Sequence, residues 1–174
     1  PSYFSSEEPD WNTWELAFDK VYKEKLFHCG FFRTIEKLEG IHESWAAGLL
    51  KSGQEDVNEQ WVSDIALIDG GLQLATLWVQ NDSGKDSLPT GYKDFYLYGS
   101  QDEKSPDKDP TKDPTKDPKK YRIRCVLKLI KSSQYESTWD IFYINTKDNS
   151  LYAEIKGVTM QKGLEANLFW KEKA

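Results

Sequence analysis

The stretch WVSDIALIDGGLQLATLWVQNDSGKDSLPTGYKDFYLYG, residues 61–99, decides the architecture. Within it Asp69 and Gln73 stand four positions apart in a run that is otherwise almost wholly apolar. The spacing predicts a helix that starts at a cap on Ser63 or Asp64 and runs to about Val79. Positions i and i+4 share a face, so the two polar side chains emerge together. The run Asn81-Asp82-Ser83-Gly84 is a stop signal, and Leu88-Pro89 opens a strand that extends to Tyr98. An aspartate on a helix apolar nearly all round is costly to bury unless it is paired or used. Burial also raises a carboxyl pKa, which suits a proton donor near neutral pH. Asp69 is therefore the first candidate for chemistry. Its structural alternative is a carboxylate satisfied by its own helix N-terminus or by neighbouring strand amides.

Outward from this helix the pattern is mostly strand. Residues 32–38 and 42–50 read as strands joined around Gly40, and residues 52–60 as a polar loop. Residues 121–131, 136–145 and 150–161 read as three long strands, the last two joined by the turn Thr146-Lys147-Asp148-Asn149. In the first of them Ile123, Cys125, Leu127 and Leu129 alternate with Arg124, Val126, Lys128 and Ile130, the period of a half-buried strand. Near the N-terminus, Trp14, Phe18, Val21 and Tyr22 predict a short amphipathic helix over residues 12–25, capped by Asn12 or Thr13. Residues 101–120 are low in complexity, with Pro106, Pro110, Pro114 and Pro118 every four positions and six acids balanced by six lysines. Without apolar content this Lys/Asp/Pro-rich loop is expected to be disordered and solvated. Pattern alone gives an α+β class, an antiparallel sheet around one buried helix.

At 174 residues the chain fits one domain, residues 1–174, with room for a real core. A net charge of −6 and the lack of a basic patch with interleaved aromatics exclude nucleic acid as the expected partner. No apolar run of membrane-spanning length and no signal-peptide pattern occur, so a cytoplasmic location and no membrane partner are expected. Cys29 and Cys125 form no C-x-x-C unit and are expected to be free, buried thiols. His28 and His42 are the only histidines, which limits metal sites, and none is expected. Phosphate-binding glycine loops, G-x-S-x-G and H-E-x-x-H are absent from the sequence. The chain begins at Pro1, which reads as a fragment of a longer polypeptide.

Three ordered segments resemble the second half of a polyketide-synthase-type dehydratase domain, including those of polyunsaturated-fatty-acid synthases. Leu26-Phe27-His28-Cys29-Gly30-Phe31-Phe32 is similar to the family's L-F-H-G-P-x-F opening. Residues Ala66 to Gln73 are similar to its H-P-x-L-L-D-x-x-x-Q helix, and Leu88-Pro89-Thr90-Gly91 to its L-P-x-x turn. The resemblance implies a hot-dog fold, an antiparallel sheet wrapped around one long central helix. It implies loss of water from 3-hydroxyacyl chains on an acyl carrier protein, giving enoyl thioesters. Asp69 would be the general acid and Gln73 its orienting partner. His28, Gly70, Gly71 and Pro89 would lie against the substrate, His28 being otherwise a hydrogen-bonded strand residue and the Gly70-Gly71 pair also suiting close approach of the helix to a sheet. The implied partners are acyl carrier protein, other domains of a parent synthase, and a second copy in a homodimer. No cofactor is implied beyond the carrier's phosphopantetheine.

Two departures matter. The first-half motif H-x-x-x-G-x-x-x-x-P is missing, so the base is expected from outside this chain. The Gly-Pro of the opening is Cys29-Gly30, and the His-Pro before the helix is Asp64-Ile65. Trp45, Trp61, Trp78 and Trp139 are either core or the lining of an acyl tunnel. The alternatives to a dehydratase are a non-catalytic module that scaffolds a synthase or docks its carrier, and a hot-dog thioesterase in which a helix acid activates water.

Overall fold

A computed structural model describes residues 8–51, 64–98 and 122–163. The loops expected at 52–60 and 101–120, together with Trp61, lie outside the described residues. Among the described residues seven strands form one antiparallel sheet: β1 (Ile35–His42), β2 (Trp45–Lys51), β3 (Ser87–Gly91), β4 (Asp94–Leu97), β5 (Arg122–Ser132), β6 (Glu136–Asn145) and β7 (Leu151–Lys162). Their order is β1-β2-β5-β6-β7-β3, with β4 also paired to β7. Helix α1 (Ile65–Ser83) joins β2 to β3 and packs across one face of this sheet.

The ends of α1 follow from local chemistry. The Asp64 side chain accepts from the Leu67 amide at 3.0 Å and so satisfies one of the first turn's free N–H groups. At the other end Gly84 takes a left-handed conformation, φ 67°, and its amide closes on the Gln80 carbonyl. Between them Leu67, Leu74, Leu77 and Trp78 are buried, each contributing about 1.5–3 kcal/mol of apolar burial.

Alternation in the strands divides their side chains between two clusters. Ala46, Cys125, Leu127, Ile141 and Tyr143 face the helix, while Ala47, Val126, Phe142 and Ile144 face the other way, under Trp11 and Leu151. The β1–β2 hairpin turns at Glu43-Ser44 rather than around Gly40. The strand expected over 88–98 is two strands, broken at Tyr92-Lys93, both laid on β7.

The amphipathic helix expected over residues 12–25 is not regular. Asn12 forms a backbone bridge with Ile41, and the Trp14 indole donates to the Gly40 carbonyl at 2.8 Å. Those contacts hold the start of the segment extended along β1. Only a 3-10 turn at Phe18–Lys20 and a π-helical turn at Val21–Lys25 follow. Cys125 is buried and its thiol is pushed well up by desolvation, whereas Cys29 is exposed, contrary to the expectation of two buried thiols.

Candidate functional site

Residues 26–34, the irregular strap between the π-turn and β1, together with Tyr22 of that turn, lie against α1 and meet Asp69 and Gln73. Gln73 is 1% exposed, so every polar atom of its amide must find a protein partner. Its Nε2 donates to the Asp69 carboxylate Oδ2 at 2.7 Å and to the Phe32 carbonyl at 2.8 Å. Its Oε1 accepts from the Tyr22 hydroxyl at 2.8 Å. Tyr22 in turn accepts from the Ile35 amide at 2.9 Å, and burial pushes its hydroxyl up to about 12.

His28 completes the cluster. Its Nε2 lies 3.2 Å from Asp69 Oδ2, and its ring stacks on Phe27 with centroids 4.4 Å apart. Nδ1 is buried without a hydrogen-bond partner among the described residues. The Asp69 side chain keeps 28% of its surface exposed, so it is lodged at a cavity wall rather than sealed in the core. That departs from the deeply buried carboxylate expected from the sequence.

The cavity has a volume of about 280 Å³ and is lined by His28, Asp69, Gln73, Thr76, Gln80 and Pro89, among others. Leu72 and Pro89 also line an adjoining apolar groove of about 440 Å³, with Ile68, Tyr92, Phe95 and Val158. The groove falls within the size range of small-molecule sites, and the cavity lies at its lower edge. The cavity thus sets the polar groups of His28, Asp69 and Gln73 among apolar side chains, beside the apolar groove.

Gly70 and Gly71 make the close approach of helix to sheet that a side-chain-free pair suits. They are turned into the sheet and line neither cavity. A Cβ on Gly70 would fall 2.5 Å from Thr34 Oγ1, and one on Gly71 would fall 2.8 Å from Tyr143 Cζ. Their lack of a side chain is used for the close approach of helix to sheet. Through it the Tyr143 hydroxyl donates to the Ile68 carbonyl at 2.5 Å, one residue from Asp69. Trp45, Trp78 and Trp139 line neither cavity; Trp78 and Trp139 meet edge to face in the core at 4.7 Å. Sequence reasoning missed the roles of Tyr22, read only as part of a short amphipathic helix, and of Tyr143, read only as part of a strand. Nothing in their spacing marks a hydroxyl aimed at a helix fifty or more positions away. Among the described residues no three His, Cys, Asp or Glu side chains gather to hold a metal.

A long helix enfolded by an antiparallel sheet of this order is the hot-dog fold, the class to which dehydratases and thioesterases among the solved structures belong. The dehydratase domain from the CurJ module of curacin polyketide synthase superposes with a TM-score of 0.62 at 18% identity, over 84% of this chain and 48% of that one. A mutant of thioesterase PA1618 from Pseudomonas aeruginosa gives 0.59 at 11% identity, over 88% of this chain and 97% of that one. The dehydratase domain of a mycocerosic acid synthase-like polyketide synthase gives 0.51 at 16% identity, over 72% and 38%. This chain thus spans about half the length of the CurJ dehydratase structure, or less of the mycocerosic one, and nearly all of the thioesterase. No protein-family model and no curated protein matches the sequence. At such identities the likeness establishes the fold.

Proposed function

We propose that this chain is a dehydratase-type hot-dog unit of a fatty-acid or polyketide synthase. Its substrate would be a 3-hydroxyacyl thioester on the phosphopantetheine of an acyl carrier protein. The observation that carries the reading is the meeting of Asp69, Gln73 and His28 at the wall of a cavity that shares Leu72 and Pro89 with an apolar groove. The acyl chain would lie in the groove against Leu72 and Pro89, with its 3-hydroxyl beside Asp69.

Elimination removes a proton from one carbon and hydroxide from the next, so acid and base must stand a few ångström apart. Asp69 and His28 meet that requirement within one chain, at 3.2 Å. With their shared proton on Asp69, the carboxyl protonates the departing hydroxyl while His28 Nε2 takes the α-proton. Imidazolium and carboxylate result, and one proton transfer back across the contact restores the pair. Gln73 holds the carboxyl in place. A histidine from a preceding segment of a parent synthase, or from a second copy in a homodimer, is the other source of the base.

One observation favours a second reading, thioester hydrolysis. A buried N–H without an acceptor costs about 1–3 kcal/mol, so the partnerless Nδ1 favours a ring protonated on Nε2. His28 and Gln73 then both donate to Asp69 Oδ2, and the carboxylate is a base for water. Incubation with a 3-hydroxyacyl carrier thioester, read by mass spectrometry, separates the two. Loss of water from the intact thioester supports the dehydratase, and release of 3-hydroxy acid supports the thioesterase. An unchanged substrate, both alone and with the adjoining native segment, would leave a non-catalytic carrier-docking role.

A further inference from the structure

We infer that Tyr22 is a positioning residue for Asp69 and acts through Gln73; this rests on the acyl-thioester reading above. Gln73 is almost wholly buried, so the direction of its amide is set by its neighbours. The Phe32 carbonyl can only accept, which places Nε2 on that side, where it also reaches Asp69. The opposite end, Oε1, has one donor, the Tyr22 hydroxyl. That hydroxyl is itself set by the Ile35 amide at the first residue of β1. A chain of hydrogen bonds therefore runs from the sheet's edge strand through Tyr22 and Gln73 to the carboxylate.

The arrangement explains an otherwise odd piece of local structure. The π-turn Val21–Lys25 buries Val21 and leaves Tyr22 half-buried, with its hydroxyl directed at the helix. Burial keeps the hydroxyl protonated far above neutral pH, so it remains a donor throughout the working range. Without it, Oε1 has no hydrogen-bond donor among the described residues, and the amide rotates or withdraws from Asp69. Reacting groups lose rate steeply on displacements of this kind.

The test is Tyr22→Phe, which keeps the ring and removes the oxygen, compared with Gln73→Ala and the double variant. On whichever acyl thioester the wild type turns over, Tyr22→Phe is expected to lower kcat about 10- to 100-fold with KM little changed. In the Gln73→Ala background the same change is expected to cost nothing, because the residue it acts through is gone. An independent readout is hydrogen exchange of the Gln73 side-chain amide by NMR, expected to quicken about tenfold or more in Tyr22→Phe as the amide loses its anchor. Losses that add in the double variant, or an amide that exchanges equally slowly in both proteins, would overturn the role. A wild type that turns over no acyl thioester, with exchange still quickened, would sink the functional reading while leaving the Tyr22–Gln73 linkage standing.

Discussion

Replacing Gly71 by alanine tests the contact that seats α1, and with it Asp69, on the sheet. The added Cβ would lie 2.8 Å from Tyr143 Cζ and 2.9 Å from Ile141 Cγ2, with the Tyr143 hydroxyl nearer still. Both side chains are fully buried in the sheet, so neither can swing aside. Overpacking of this kind costs about 1–3 kcal/mol. Displacing the Tyr143 hydroxyl from the Ile68 carbonyl adds about 0.5–1.5 kcal/mol. Against these stands alanine's better helix propensity, about 0.8–1 kcal/mol. The net loss is roughly 1–3 kcal/mol, or roughly 3–10 °C in Tm for a chain of this size. Urea denaturation of wild type, Gly71→Ala and Gly91→Ala measures it. Gly91 has open space where a Cβ would go, so its variant should stay within about 0.5 kcal/mol of wild type. A Gly71→Ala protein as stable as wild type, or more so, would refute the close-approach account.

Three further outcomes are expected. Asp69→Asn should lower turnover at least about 100-fold while shifting stability by no more than about 1 kcal/mol, because the side chain lies partly exposed at a cavity wall; equal activity in a carrier-thioester assay would remove Asp69 from the chemistry. Leu72→Trp fills the passage shared by cavity and groove, so KM for long-chain acyl thioesters should rise about tenfold or more while acetyl-sized substrates are unaffected; equal effects on both would disprove the channel. The Arg124 hydrogen bonds hold the Glu8 carboxyl below its usual value of 4.5. A lowered folded pKa gives stability that is present above the unfolded value and lost as pH falls through the folded one. Glu8→Gln should therefore cost up to about 1 kcal/mol at pH 7, and the difference should vanish in denaturation curves taken in strong acid. A gap that persists there would point to packing instead.

How much was legible beforehand can be traced through particular residues. The helix was readable because Asp64, an unbroken apolar run and Gly84 are local signals, and its observed span of Ile65–Ser83 differs from the reading only at its end. Strand β6 was read to the residue from its flanking turns, and β5 to within one, from alternation in its side chains. The pairing of Asp69 with Gln73 was equally local, since i and i+4 meet on any helix. Residues 12–25 misled because their apolar spacing suits a helix, yet long-range bonds from Asn12 and Trp14 to β1 outweigh that weak preference.

The sequence by itself determined the central helix, the long strands and where the carboxylate sits on the helix, because caps, periodicity and turns act over a few residues. Only the tertiary structure decided what surrounds that carboxylate. His28 reaches it across 41 positions, and the Tyr22 hydroxyl reaches Gln73 across 51. The same packing turns Gly70 and Gly71 into the sheet, away from the cavity. A hydrogen bond has a range of about 3 Å, so its partners become fixed only when distant segments of the chain are brought into contact.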